Sequence, residues 1–374
     1  MTISRILTCR SPGSEHCMFN PNRLGIARKR RQLTKKDLAK RADITPLTLT
    51  RLERGDTGDP EADTIARLAR ALDFPVEFFF LDDCDELSTQ AVSFRSLSSL
   101  TARQRDAALA AGPIAFLLDE WVTQRFNLPA PDLIDLRDED PITAAGVLRN
   151  HWGIGAKPIP DMLRLLEAKG VRVFSLSEKN KNVDAYSCWR DKTPYVFLNT
   201  FKSAERSRFD AAHELGHLVL HIHGASGGRD VEREADQFAS AFLVPRADLI
   251  SHMPRAHSLS HLVTAKKRWG VSVAALARSA FDTNLISDWY YREICKQMSM
   301  LGYRTHEPEA MPRERSTLWR KVFESLWKEK LTKDHVARQL CIPPDEIEAI
   351  VGGLLAEPIV PGQISAKPPI FTVV

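Results

Sequence analysis

The stretch FDAAHELGHLVLH, Phe209 to His221, sets two histidines four residues apart with a glutamate directly after the first. Within SAERSRFDAAHELGHLVLH the apolar residues Phe209, Ala212, Leu215 and Leu218/Val219 recur with a helical period. On such a helix His213 and His217 lie one turn apart on one side. Two imidazoles so placed can share one Zn²⁺, and Glu214 beside them can accept a proton from a water. With 11 histidines in 374 residues, a random His-Glu-x-x-His is expected about 0.04 times per chain at most, so the pattern outweighs the rival reading of a helix with solvated histidines.

A catalytic zinc needs a third protein ligand and an open fourth position. His223 follows His217 at the spacing of HExxHxxGxxH, but Leu220 stands where that pattern has its helix-ending glycine. On a continuing helix His223 would lie about 600° round from His217, pointing away. In DVEREADQFASAFLVP, Glu232 and Asp236 are i and i+4 on a second helix, so Glu232 can bind metal while Asp236 orients a ligand histidine. Glu232 is the expected ligand and Glu234 the fallback. His221, His223, His252, His257 and His261 read as surface or structural residues.

Working outward, PITAAGVLRNHWG and DMLRLLEAKG read as helices, and VRVFSLS, AYSCWR and TPYVFLNT as three short strands. A small sheet therefore precedes the metal helix. Upstream, SLTARQRDAALAAGPIAFLLDEWVTQRFNLPAPDL has helical periodicity broken by Gly112-Pro113, and reads as a connector.

The N-terminal module shows a second kind of chemistry. Leu24 and Ala27 share an apolar face, with the basic run Arg28 to Arg31 mostly turned to solvent. Thr34 and Asp37 have the spacing of a capping box. Thr45 as N-cap, Pro46 at the first helical position and Gly55 as stop delimit a following helix. Two short helices joined in this way make a helix-turn-helix. Thr48 and Arg51 are candidate base contacts, while Lys35, Lys36 and Arg54 suit phosphate or solvent. Met18 to Leu72 carries a net charge of +6 against +4 for the whole chain, which confines any electrostatic attraction for nucleic acid to this module.

HELGH followed by E-x-E-A-D-x-F-A-x-x-F-L-x-P resembles the ImmA/IrrE family of zinc metallopeptidases over roughly residues 140 to 303. Residues 20 to 80, with Glu53-x-Gly55, resemble Xre/Cro-type helix-turn-helix domains, and the fusion resembles a common long form of that family. Pro46 and Leu47 depart from the polar residues that often open the recognition helix. The resemblance implies an intracellular gluzincin-type endopeptidase that regulates genes, often by cleaving a helix-turn-helix repressor under stress or during induction of a mobile element. Carried over, His213, His217 and Glu232 are ligands of one Zn²⁺, Asp236 supports a ligand and Glu214 is the catalytic base. By analogy with other zincins, a substrate would add to the strand Tyr195–Asn199, with Tyr195, Phe197 and Asn199 lining it. His257 is the one weak candidate for stabilising the oxyanion.

The expected fold is multidomain and mainly α: a disordered leader (1–17), an all-α helix-turn-helix domain (18–85), a helical connector (86–130), an α+β zincin (gluzincin-like) domain (131–303) and a helical appendage (304–374). In the appendage DEIEAIV is acidic and would repel phosphate, so it reads as a packing or partner-contact element. Six scattered cysteines without a CxxC pair, no signal peptide and no span of ~20 apolar residues suit a cytoplasmic protein with no membrane partner. Its expected partners are DNA and a protein substrate, and a homodimer is left open. The competing function is an antitoxin-like repressor that keeps the zincin fold for zinc-dependent structure or sensing, without turnover.

Overall fold

The computed structural model describes residues 18–56, 58–87, 101–176, 185–221, 228–253, 258–303 and 305–355. The leader 1–17 and the residues His223 and His257 lie outside them.

Four helices open the chain: α1 (Pro21–Arg30), α2 (Lys35–Arg41), α3 (Pro46–Arg54) and α4 (Ala62–Leu72), followed by a 3-10 turn, Val76–Phe80. Their ends are set locally. Thr34 and Asp37 form the capping box of α2, the Thr45 hydroxyl accepts from Thr48 N, and Gly55 ends α3 at φ +71, where a side chain is strained. Leu24, Leu38, Leu49, Leu52, Leu68 and Phe78 bury the inner faces.

The basic run of α1 does not face solvent. Arg28 pairs with Glu53 and donates to Leu33 O. Arg30 reaches Glu346 at 2.8 Å and Ala107 O at 3.0 Å, and Arg31 reaches Asp345 at 2.8 Å and Glu346 at 3.2 Å. The acceptors of Arg30 and Arg31 come from segments far away in sequence, so local periodicity could not reveal them. Because the Arg30 and Glu346 side chains are buried, truncating Arg30 would strand a carboxylate in the interior. Arg31 still reaches it, which puts the expected loss of Arg30→Ala at about 3 kcal/mol, the low end for a broken buried pair. A shift of the urea midpoint to lower concentration checks this, and a midpoint equal to wild type contradicts it.

The segment read as a helical connector is a long helix, α5 (Ala102–Thr123), which continues through Pro113. A proline inside a helix costs about 3 kcal/mol. Burying Ile114, Phe116, Leu118 and Trp121 outweighs that, at about 1.5–3 kcal/mol per large apolar side chain. The helix packs on α1 on one side. On the other it meets the sheet, where Tyr186 donates to Ala108 O at 2.8 Å and Arg172 pairs with Asp119 at 3.0 Å.

Helices α6 (Pro141–His151) and α7 (Met162–Ala168) lead into three strands: β1 (Arg172–Leu176), β2 (Tyr186–Arg190) and β3 (Thr193–Asn199). The order is β1-β3-β2, with β1 parallel and β2 antiparallel to β3. Helix α8 (Ala204–Leu220), capped by Ser203, packs on β2 and β3, and α9 (Arg229–Leu243) packs against α8 and α6. Gly216 sets the α8–α9 approach, since a Cβ there would lie 3.0 Å from Phe238 Cδ1. Four helices follow: α10 (Arg246–His252), α11 (Leu259–Ala265), α12 (Val273–Asp282) and α13 (Asp288–Met300).

The C-terminal helices α14 (Thr317–Lys328), α15 (Lys333–Leu340) and α16 (Pro344–Val351) return to the sheet. Trp319 donates to Val173 O at 2.8 Å, and Ser175 donates to Ala349 O at 3.0 Å. The acidic helix α16 thus packs beside β1 and supplies the carboxylates that take up Arg30 and Arg31. No helix among the described residues is long and apolar enough to cross a membrane.

Candidate metal centre

Helix α8 presents His213 and His217 from successive turns, and α9 brings Glu232 against them. The two histidine Nε2 atoms are 3.0 Å apart, and Glu232 lies 3.4 Å from His213 and 3.8 Å from His217. These three form the group among the described residues that could hold a metal ion. Tetrahedral Zn²⁺ with ligands at about 2.0–2.1 Å spaces its ligand atoms about 3.3–3.4 Å apart, and the observed separations bracket that value. The buried Glu232 Oε1 has no hydrogen-bond partner among the described residues. A buried carboxylate oxygen left bare is costly, and a cation at the centre of the three groups would satisfy it. The residues fit the metal.

The surroundings orient these groups. His213 Nδ1 is 2.9 Å from Asp236 Oδ1, which leaves Nε2 for the site. Burial disfavours the His213 imidazolium, but the bonds to Asp236 and Glu232 outweigh it and raise the group to about 10.

Glu214 is buried beside the triad. Burial pushes its carboxyl up to about 7, against the opposing pull of His213 and of the Ser187 hydroxyl, which donates to Oε2 at 2.7 Å. A base near neutrality, fixed by one hydrogen bond and set next to the ligand pair, is suited to exchanging protons with a water.

The residues proposed for the substrate strand lie elsewhere. β3 is the central strand, hydrogen-bonded on both sides, so an added chain finds no free edge there. Tyr195 is buried with its hydroxyl on Asp119, Phe197 stacks on Tyr186 and Phe174, and Asn199 accepts from Phe201 N. Among the described residues the sheet edges are β1 and β2. Of these, β2 approaches the site: Ser187 reaches Glu214, and Trp189 donates to Leu218 O at 3.1 Å.

One further residue went unread in the sequence, and two were read in other roles, His221 as surface or structural and Glu234 as the fallback ligand. Ser187 lies 27 positions from Glu214, and nothing local links them. His221 continues the four-residue ladder of His213 and His217, a signal that was present. It sits 3.0 Å from His217 Nδ1. Glu234 is no ligand in this arrangement; its carboxylate lies 3.1 Å from His221 Nε2.

On the helix-turn-helix, Lys36 and Arg51 are exposed, whereas Lys35 is drawn to Glu53 at 3.0 Å. The Thr45 and Thr48 hydroxyls bond to each other at 2.8 Å as part of the α3 cap. Leu47 is 60% exposed at the opening turn of α3.

Comparison with known proteins finds a family match in each of two stretches of the chain. Residues 166–280 match the peptidase M78 family model, described as the IrrE N-terminal-like domain, and residues 24–79 match the helix-turn-helix family model. A search of curated proteins finds no match.

Proposed function

We propose that this chain, an ImmA/IrrE-like peptidase domain carried behind an Xre-like helix-turn-helix domain, is a cytoplasmic zinc-dependent endopeptidase that controls transcription by cleaving a helix-turn-helix repressor. The observation that carries this reading is the convergence of His213, His217 and Glu232 beside a buried Glu214. A zinc ion held by the triad would supply a Lewis acid that activates water and polarises a peptide carbonyl. Glu214, steadied by Ser187, takes the proton of the attacking water and passes it to the leaving amine. Asp236 keeps His213 in the ligating tautomer. An extended substrate adds to the outer edge of β2 rather than to β3, which has no edge to offer.

Cleavage is tested by incubating the zinc-loaded chain with repressors encoded by neighbouring genes, beside His213→Ala, which loses both metal and cleavage. An intact repressor in every case would leave the non-catalytic, zinc-sensing regulator as the better reading.

The DNA-binding half has a separate expectation. The charges of Arg28, Arg30 and Arg31 are taken up within the fold, so phosphate contact falls to exposed residues such as Lys36 and Arg54. Binding of duplex DNA by the full chain is expected to be weak and to fall steeply with salt. Lys36→Ala should lower the slope of log affinity against log salt by about 1. Arg51→Ala should cost about 1–3 kcal/mol of any sequence discrimination. Salt-insensitive binding in titrations at several ionic strengths contradicts this account.

A further inference from the structure

We infer that His221 and Glu234 form a hydrogen-bonded relay that positions His217 for the metal, an inference that rests on the zinc-site reading above. The three groups stand in line: His217 Nδ1 to His221 Nδ1 at 3.0 Å, then His221 Nε2 to Glu234 Oε2 at 3.1 Å. Only one arrangement of protons satisfies this line while leaving the His217 Nε2 lone pair free for a cation. His217 carries its proton on Nδ1 and donates it to a bare His221 Nδ1. His221 carries its proton on Nε2 and donates it to the carboxylate. Glu234 thereby selects the tautomer of His221, and His221 selects that of His217.

The backbone serves this arrangement. Helix α8 ends at His221, whose N–H still bonds His217 O at 3.2 Å while its own backbone turns extended (φ -122, ψ 142). That holds the His221 ring one turn beyond His217. Glu234 comes two residues after Glu232 on α9, so it points away from the triad and reaches the end of α8 instead. The two ligand histidines are therefore held differently. His213 bonds directly to the half-exposed carboxylate of Asp236, and His217 bonds to a second ring that is itself held by a carboxylate.

The test is zinc affinity of the full chain, measured by competition with a chromophoric chelator at neutral pH, with melting of the zinc-free proteins to check folding. His221→Ala is expected to weaken zinc by about 10–100-fold and Glu234→Ala by less, within the range for groups that support a ligand. The double variant should be no weaker than His221→Ala, because Glu234 acts only through His221. Glu234→Gln should recover most of the affinity, since its amide oxygen still accepts from His221. In ¹⁵N spectra of the zinc-loaded chain, His221 should be the Nε2–H tautomer in wild type and a mixture in Glu234→Ala. Wild-type affinity in both single variants overturns the relay, as do losses that multiply in the double variant. If His221→Ala fails to fold, Glu234→Ala carries the test from a surface position. A wild-type chain that binds no zinc overturns the metal-site reading itself, before any variant is compared.

Discussion

Glu214→Gln is expected to bind zinc as wild type does and to cleave about 10²–10⁴-fold more slowly, the usual contribution of a positioned general base. The substitution keeps the size of the side chain, and an amide oxygen can still accept from Ser187, which reaches Oε2 at 2.7 Å. It also removes an ionisable group that is fully buried and raised to about 7, the carboxylate assigned to take the proton of the attacking water. Loss in His213→Ala alone would be ambiguous, because a metal can support folding as well as catalysis. Metal content and single-turnover cleavage of the two variants, measured together, separate these roles. In cells, Glu214→Gln should leave target genes repressed under the inducing signal. If it derepresses them as wild type does, proteolysis is not the output and the sensing regulator takes its place.

Glu232→Ala should empty the site. Among the described residues its carboxylate is the one acidic group that approaches both histidine Nε2 atoms, at 3.4 and 3.8 Å, and its Oε1 has no hydrogen-bond partner among them. Removing it leaves two imidazoles, too few for a stable structural or catalytic zinc site. Metal analysis after gel filtration should find almost no zinc in this variant. His223→Ala and Glu234→Ala should keep about one equivalent per chain, the latter with reduced affinity, and Asp236→Ala should weaken binding by about 10–100-fold. A full site in Glu232→Ala together with an empty one in His223→Ala would reassign the third ligand.

Features whose physics is local were legible in the residues alone. The i, i+4 pairing of His213 and His217 follows from helical pitch, and the caps at Thr34, Thr45 and Gly55 follow from backbone groups that must be satisfied within one turn. The three strands were legible from their short apolar runs. Tertiary structure decided whatever depended on which segments meet. Helix geometry favoured Glu232 over His223 as third ligand, and it is the packing of α9 on α8 across Gly216 that brings Glu232 to the histidine pair. Ser187 faces Glu214 because β2 pairs beside β3, and the same pairing makes β3 central and closes it to a substrate. Pro113 broke the periodicity of the connector, yet burial on two sides carried α5 through it. Arg30 and Arg31 read as a solvent-facing basic run until Asp345 and Glu346 arrived from more than 300 residues away. A charge shows its sign in the sequence, but the fold alone determines whether DNA, water or a carboxylate neutralises it.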